Sequence, residues 1–298
     1  MSRFIFAALG SVCLAGAAAA QPVPGRDLLE FPVGLLAEAG PLSNQMIGGL
    51  WNPATAALPA SRRAAFGFAG LTSPQELGVS LDLVAGAYRV NRNLTASLSL
   101  VSASVSDVLK TDTDPQSLGP EIPYGTLLIS AGVARTMRNN VTLGVAARYR
   151  RGTSDIENSS AFTLDAGVVV DGIAGVPVRV AASTFLFTPV SADREAMYSA
   201  AADVPVYRRD STFVVRLGQA FSVTEERGRE QYSFTTMQYR QLDLSTGVAR
   251  SVAFGNANNR WRLGCGLRYA SYTIAIGREA GAAGVGASYQ FLIKRVVQ

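Results

Sequence analysis

Histidine is absent from all 298 residues. Without an imidazole there is no Ser-His-Asp triad, and the commonest protein ligand for zinc is missing. Cysteine is almost absent too: Cys13 and Cys265 are the whole complement. Cys13 falls in a leader-like segment, and the one remaining thiol cannot close an internal disulfide. Charged residues make up 16% of the chain against 48% hydrophobic. No block of like charges suggests a nucleic-acid tail. No phosphate loop, dinucleotide fingerprint or paired-cysteine motif occurs. "TDTDPQ" (Thr111 to Gln116) has acidic spacing but lacks the glycine and distal glutamate of a calcium loop. These absences argue against an enzyme, a cofactor, a metal site and a nucleic-acid partner.

Long apolar runs are also missing. Beyond the first twenty residues none reaches the ~18 residues a membrane helix needs. Those first twenty read "MSRFIFAALGSVCLAGAAAA", a short basic start, an apolar run and a small-residue cleavage site. That pattern predicts a secretory signal peptide over 1–20. An exported, apolar-rich chain without spanning helices leaves a soluble β-sandwich or a transmembrane β-barrel.

Alternation at period two decides between them. In "VTLGVAARYRRG", Val141, Leu143, Val145, Ala147 and Tyr149 alternate with Thr142, Gly144, Ala146, Arg148 and Arg150. The same rhythm recurs at Leu77 to Ala87, Leu127 to Ala134, Phe162 to Asp171, Trp261 to Tyr269 and Val285 to Lys294. Most stretches run ~9–13 residues, enough for a tilted strand to cross a bilayer. Short turns are expected at Asn91 to Asn93, Arg138 to Asn140, Gly172 to Gly175, Ser245 to Gly247 and Ala270-Ser271. Longer loops are expected at Asp107 to Tyr124 and Gly152 to Ser160. A weak strand at about Arg194 to Asp203 completes an even count. The expected fold is all-β, an antiparallel transmembrane barrel of fourteen strands, with twelve as the alternative. The apolar parity, Leu81 and Leu83 included, should face lipid and the other parity the lumen.

Residues 21–60 form a separate unit in this reading, with the barrel over 61–298. Residues 21–43 are rich in proline and glycine, and Asn52-Pro53 reads as an N-cap followed by proline at the first helical position. In "LTASLSLVSASVS" the apolar phase changes between Leu100 and Val101, which predicts a β-bulge there.

"GGLWNPATAALPASRRAAFGFAGL" (48–71), with Gly48, Gly49, Trp51, Asn52, Pro53 and Ala54, resembles the N-terminal signature of the FadL-like and PorV-like outer-membrane barrels. "RLGCGLRYASYTIAIGREAGAAGVGASYQF" (262–291) is similar to their closing hairpins. The resemblance spans about Asn44 to Phe291. It implies fourteen strands in the bacterial outer membrane, with Trp51, Asn52 and Pro53 in a segment that either plugs the lumen or lies as a periplasmic arm. It also implies passage of a small hydrophobic ligand, or alternatively an accessory role beside secretion-system proteins, holding exported proteins at the surface. A bulge at Leu100-Val101 would then be a lateral gate or a simple addition of twist. The chain is shorter than the fatty-acid transporters and ends "KRVVQ", without the usual terminal aromatic. Arg148, Asp165, Arg179, Arg216, Arg262 and Arg268 are expected to line the lumen.

Overall fold

The computed structural model describes residues 23–44, 49–73, 78–106, 108–111, 118–138, 140–173, 175–188, 196–210, 212–224, 228–253, 256–281 and 286–298. Residues 1–20, where a signal peptide is expected, Gly48 and residues 112–117 of the acidic loop lie outside them.

Three short 3-10 turns come first, at Asp27–Glu30, Gly40–Leu42 and Pro53–Ala56. The strands follow: β1 (Ala64–Thr72), β2 (Val79–Arg89), β3 (Leu94–Val105), β4 (Leu109–Thr111), β5 (Leu118–Glu121), β6 (Tyr124–Arg138), β7 (Val141–Ser154), β8 (Glu157–Ile173), β9 (Val176–Phe185), β10 (Met197–Arg209), β11 (Phe213–Thr224), β12 (Gly228–Tyr239), β13 (Leu242–Ala253), β14 (Asn256–Tyr269), β15 (Tyr272–Glu279) and β16 (Ser288–Val297). Fourteen of them close one antiparallel barrel in which β1 pairs β16, while β4 and β5 form a separate hairpin on the β3–β6 connection. The soluble sandwich is thereby set aside. Among the described residues no helix is long and apolar enough to cross a membrane. Closure leaves the sheet without a free edge, the condition a sheet must meet in hydrocarbon.

The two barrel ends differ. One carries the short turns (90–93, 139–140, 174–175, 210–212, 240–241, 270–271), the start of β1 and the end of β16; it is the terminal end below. The opposite, loop end carries the longer connections at 106–123 and 186–196.

The outer surface is apolar over most of its circumference. Leu98, Val145, Phe162, Trp261 and Ile276 are all more than half exposed. A soluble monomer rarely displays so much contiguous grease. Near the terminal end Tyr269 and Tyr272 face outward with Arg295, whose guanidinium lies 5.3 Å from the Tyr272 ring centre. That arrangement suits a membrane–water interface.

Several expectations need correction. No bulge exists at Leu100-Val101: the register runs unbroken through Leu100↔Val84 and Val101↔Leu83 on one side, and Leu100↔Ile129 and Val101↔Leu128 on the other. The pleat stays regular, and Val101 and Ala103 simply point inward, fully buried, while Ser102 and Ser104 point out. The inside of this wall is greasy, so the apolar phase changes without any extra residue. For the same reason β2 is inverted. Leu81 and Leu83 face the lumen, and Ser80 and Asp82 face outward.

The weak strand is β10. It runs from Met197 to Arg209, with a register shift between Pro205 and Tyr207, and the expected start at Arg194 lies outside the described residues. Proline has no N–H for the ladder, so the irregularity falls where it sits. The turn expected at Ser245 to Gly247 is instead at Arg240-Gln241, and the 152–160 loop contracts to Asp155-Ile156.

Candidate functional site

The N-terminal segment touches β6, β7 and β8 on one wall and β12, β13 and β16 on the opposite wall, so it runs inside the cylinder. At the loop end Arg150 donates to the Val23 carbonyl at 2.9 Å, and the Tyr124 hydroxyl donates to Asp27 at 2.7 Å. At the terminal end the Leu58 N–H donates to Thr95 Oγ1 at 3.1 Å, just before β1 begins. The described residues 23–44 and 49–58 therefore lead through the lumen from the loop end to the terminal end.

Apolar burial holds one side of this plug. Leu28, Leu29, Val33, Leu35 and Leu36 form one cluster with Leu71, Leu81, Leu83, Val101 and Leu128 of β1, β2, β3 and β6. Each such side chain contributes about 1.5–3 kcal/mol when fully buried. This is why those strands carry leucine on the lumen side.

Wall side chains hold the rest by bonding plug carbonyls, which a segment without regular structure leaves unpaired. Ser245 Oγ donates to Leu36 O at 2.7 Å, the Tyr232 hydroxyl to Ala37 O at 2.7 Å and Ser183 Oγ to Trp51 O at 2.9 Å. Leu36 and Ala37 have φ of 43° and 66°. Left-handed backbone costs a residue with a Cβ about 1–2 kcal/mol, and here the two wall bonds fall on those two residues.

Trp51, Asn52 and Pro53 all lie buried in the lumen. Trp51 Nε1 donates to Val33 O at 3.2 Å, and its ring lies 5.1 Å from that of Phe185. Asn52 is fully buried. Its Oδ1 accepts from Ala54 N at 3.0 Å, while its Nδ2 donates to Pro41 O at 2.7 Å and to Val168 O of β8 at 3.3 Å. The expected cap is present, on a single 3-10 turn with Pro53 first. Replacing Asn52 with alanine removes three bonds worth about 1 kcal/mol net each. Hydrogen-exchange protection over 53–57 should fall at least roughly thirty-fold, a loss of about 2 kcal/mol. Unchanged protection would mean that Asn52 does not hold the turn.

Gly144 of β7 makes room for this turn. A Cβ there would lie 2.2 Å from Ala54 N and 2.3 Å from Pro53 C, both backbone atoms.

The six charged residues expected in the lumen all point inward, in two pairs and two larger clusters. Arg148 and Asp165 pair with both side chains fully buried, Nε to Oδ2 at 2.5 Å. Arg148 also donates to Leu50 O at 2.5 Å and lies 4.6 Å over the Phe185 ring, so it ties the wall to the plug. Asp165 accepts from Phe187 N at 3.0 Å. Arg179 and Arg216 converge on Asp203 of β10, Arg216 at 2.6 Å. Arg262 joins Arg260, Glu230 and Glu279 in a four-membered network. Arg268 pairs with Asp243 at 2.9 Å near the terminal end.

Asp203, Glu230, Arg260, Glu279, Tyr232 and Ser245 escaped the sequence reading. The available signal was their parity: a carboxylate on the lumen side of a lipid-facing strand needs a cation or water.

Between the plug and β10–β14, at the loop end, lies a cavity of 390 Å³. Phe31, Leu35 and Trp51 of the plug form its apolar side, and Glu230, Arg260 and Arg262 its charged side. Tyr232 stands at the boundary, with the Arg262 guanidinium 4.9 Å over its ring. The cavity can take a molecule with an apolar body and a polar end. Deeper toward the terminal end, Ala39 and Leu42 of the plug pack with Ala201, Ala220, Tyr232, Phe234 and Ala249 in a second apolar cluster. The lumen is thus dry along β1–β3 and charged along β9–β14, not uniformly wet as the strand parity suggested.

No family model and no curated protein matches the chain. Among solved structures, a Pseudomonas aeruginosa FadL homologue is 11% identical over 94% of this chain and 99% of its own, with a TM-score of 0.53. The Acinetobacter baumannii outer membrane protein Omp33 is 9% identical over 79% of this chain and 98% of its own, TM-score 0.47. Pseudomonas putida OprB is 8% identical over 79% and 91%, TM-score 0.43. At such identities the likeness of the first concerns the fold, a closed antiparallel barrel.

Proposed function

We propose that this chain is a bacterial outer-membrane channel for small hydrophobic compounds, of the FadL-like kind, with its loop end facing outward. The observation that carries this reading is the two-sided cavity at the loop end, closed below by an N-terminal plug. A compound entering from outside meets a site that solvates its polar end beside Arg260 and buries its body against Phe31, Leu35 and Trp51. Passage then requires the plug to shift. No catalytic group takes part, and no cofactor is needed.

Proteoliposomes test this directly. Vesicles carrying the protein should accumulate a member of a panel of radiolabelled aromatic and aliphatic compounds several-fold above empty vesicles. Leu35→Trp, which fills the cavity's apolar side, should abolish the difference. Uptake equal to that of empty vesicles across the panel would reject the channel.

The PorV-like alternative, an accessory barrel for secretion-system proteins, draws on one feature. The β4–β5 hairpin extends the β3–β6 connection beyond the barrel at the loop end. Deleting it should then remove co-purifying exported proteins while leaving uptake unchanged.

A further inference from the structure

Apart from the outward Ser80, Asp82, Ser102 and Ser104 of β2 and β3, a second stretch of the outer wall does not suit hydrocarbon. On β12 the outward residues from mid-height to the loop end are Thr235, Ser233, Gln231 and Arg229, because Phe234, Tyr232 and Glu230 point in. Cross-strand neighbours extend this polarity. Gln231 is level with Arg250 of β13, and Gln219 of β11 donates to Ser233 Oγ at 3.3 Å. Arg229 and Arg250 are thus diagonal neighbours on one face, two like charges side by side. Their outward register partners Val223, Val252 and Asn259, and Phe221 beside Gln231, include no carboxylate. Unlike Arg260 and Arg262 inside, neither arginine forms an ion pair among the described residues.

Directly below this pair the wall is hollowed. A groove of 620 Å³ has small side chains, Ser233 and Thr246, on its floor. Leu217 and Val204 bound it on one side and the exposed Trp261 on the other. Arg250 stands two residues from Val248, which also lines the groove, so its Cα is ~7 Å away along the strand. Cations therefore sit at the loop-side rim of an apolar trough that runs toward mid-membrane.

We propose that this face is a binding site for a phosphate-bearing lipid, its headgroup on Arg229 and Arg250 and one acyl chain in the groove. Guanidinium groups match phosphate oxygens in planar, two-pronged contacts. Gln231 adds an amide donor between them. The head-then-tail order of rim and groove fits a lipid of the outer leaflet when the loop end faces outward, so the inference rests on the membrane orientation proposed above. A bound lipid offsets the repulsion between the two arginines and covers the hydroxyls and the Gln219 amide that bare hydrocarbon would leave exposed.

Native mass spectrometry of the detergent-purified protein, titrated with dioleoylphosphatidylglycerol, reads the site. One lipid should stay bound per barrel, and dioleoylglycerol, which has the tails but no phosphate, should not. The R229Q/R250Q variant should retain about ten-fold less. Thr246→Trp, which fills the groove and leaves both arginines, should lose retention to a similar extent, and Val248→Phe serves if the tryptophan variant fails to fold. Heat-dependent gel mobility shows that each barrel is intact. Retention in R229Q/R250Q equal to wild type overturns the site. Full retention in an intact groove variant reduces it to surface charge and overturns it as drawn, as does displacement of the lipid by inorganic phosphate alone. Failure of the wild type to enter vesicles at all would instead overturn the membrane reading.

Discussion

Gly144→Val should turn a closed barrel into an open pore. The new side chain begins where the Pro53-Ala54 backbone now lies, 2.2–2.3 Å away. Real side chains do not approach backbone so closely, and the neighbouring strand cannot retreat without breaking its ladders to β6 and β8. The plug must leave its seat. Single-channel recordings in planar bilayers should show rare, small events for the wild type and steady porin-like currents for the variant. Gly86→Val is the control, because a Cβ there meets nothing nearer than Ala65 O at 3.7 Å. An intact Gly144→Val barrel with wild-type conductance would mean that the 3-10 turn does not block the lumen.

The second large effect is expected at Asp165. Its pair with Arg148 is fully buried, and removing one member of a buried pair leaves the other charge without compensation, typically at 3–5 kcal/mol. Asp165→Asn keeps an acceptor for Phe187 N yet removes the charge. It should lower urea-unfolding stability in lipid vesicles by about 3 kcal/mol. The double variant R148M/D165N removes both charges and should recover more than half of that loss. Its methionine still fills the space over Phe185 but gives up the bond to Leu50 O. If the two substitutions simply add, the pair is not coupled and Arg148 serves the plug alone.

How much of this was legible beforehand follows from which rule each residue obeys. Arg148, Asp165 and Arg262 lie on the polar parity of strands whose other parity is uniformly apolar, and two-residue periodicity placed them inside. The even strand count followed from the membrane reading. The inversion of β2 was hidden, because Leu81 and Leu83 look like lipid-facing residues unless a greasy plug is already known to fill the lumen beside them. The Leu100-Val101 phase change had the same origin. At Arg240-Gln241 the chain turns without glycine, proline or asparagine, with Arg240 at φ 51°. Ser245-Thr246-Gly247 looked like a turn but runs mid-strand, where Gly247 leaves room for the Tyr232 ring, 2.7 Å from where a Cβ would be. Partners such as Asp203 for Arg179 depend on register between strands, which one strand's alternation does not encode.

The threaded N-terminal segment also orders events in biogenesis. Gly34 N donates to Gln290 Oε1, joining positions 256 apart in the chain, and Gln290 lies on the last strand to be delivered. Contacts of such separation form late, since loop closure must precede them. The lock on the first-made segment is therefore completed only when β16 zips to β1. A barrel arrested before that seam closes would hold its plug by the early wall alone, so protease sensitivity near residue 34 becomes a clock for the final step of assembly.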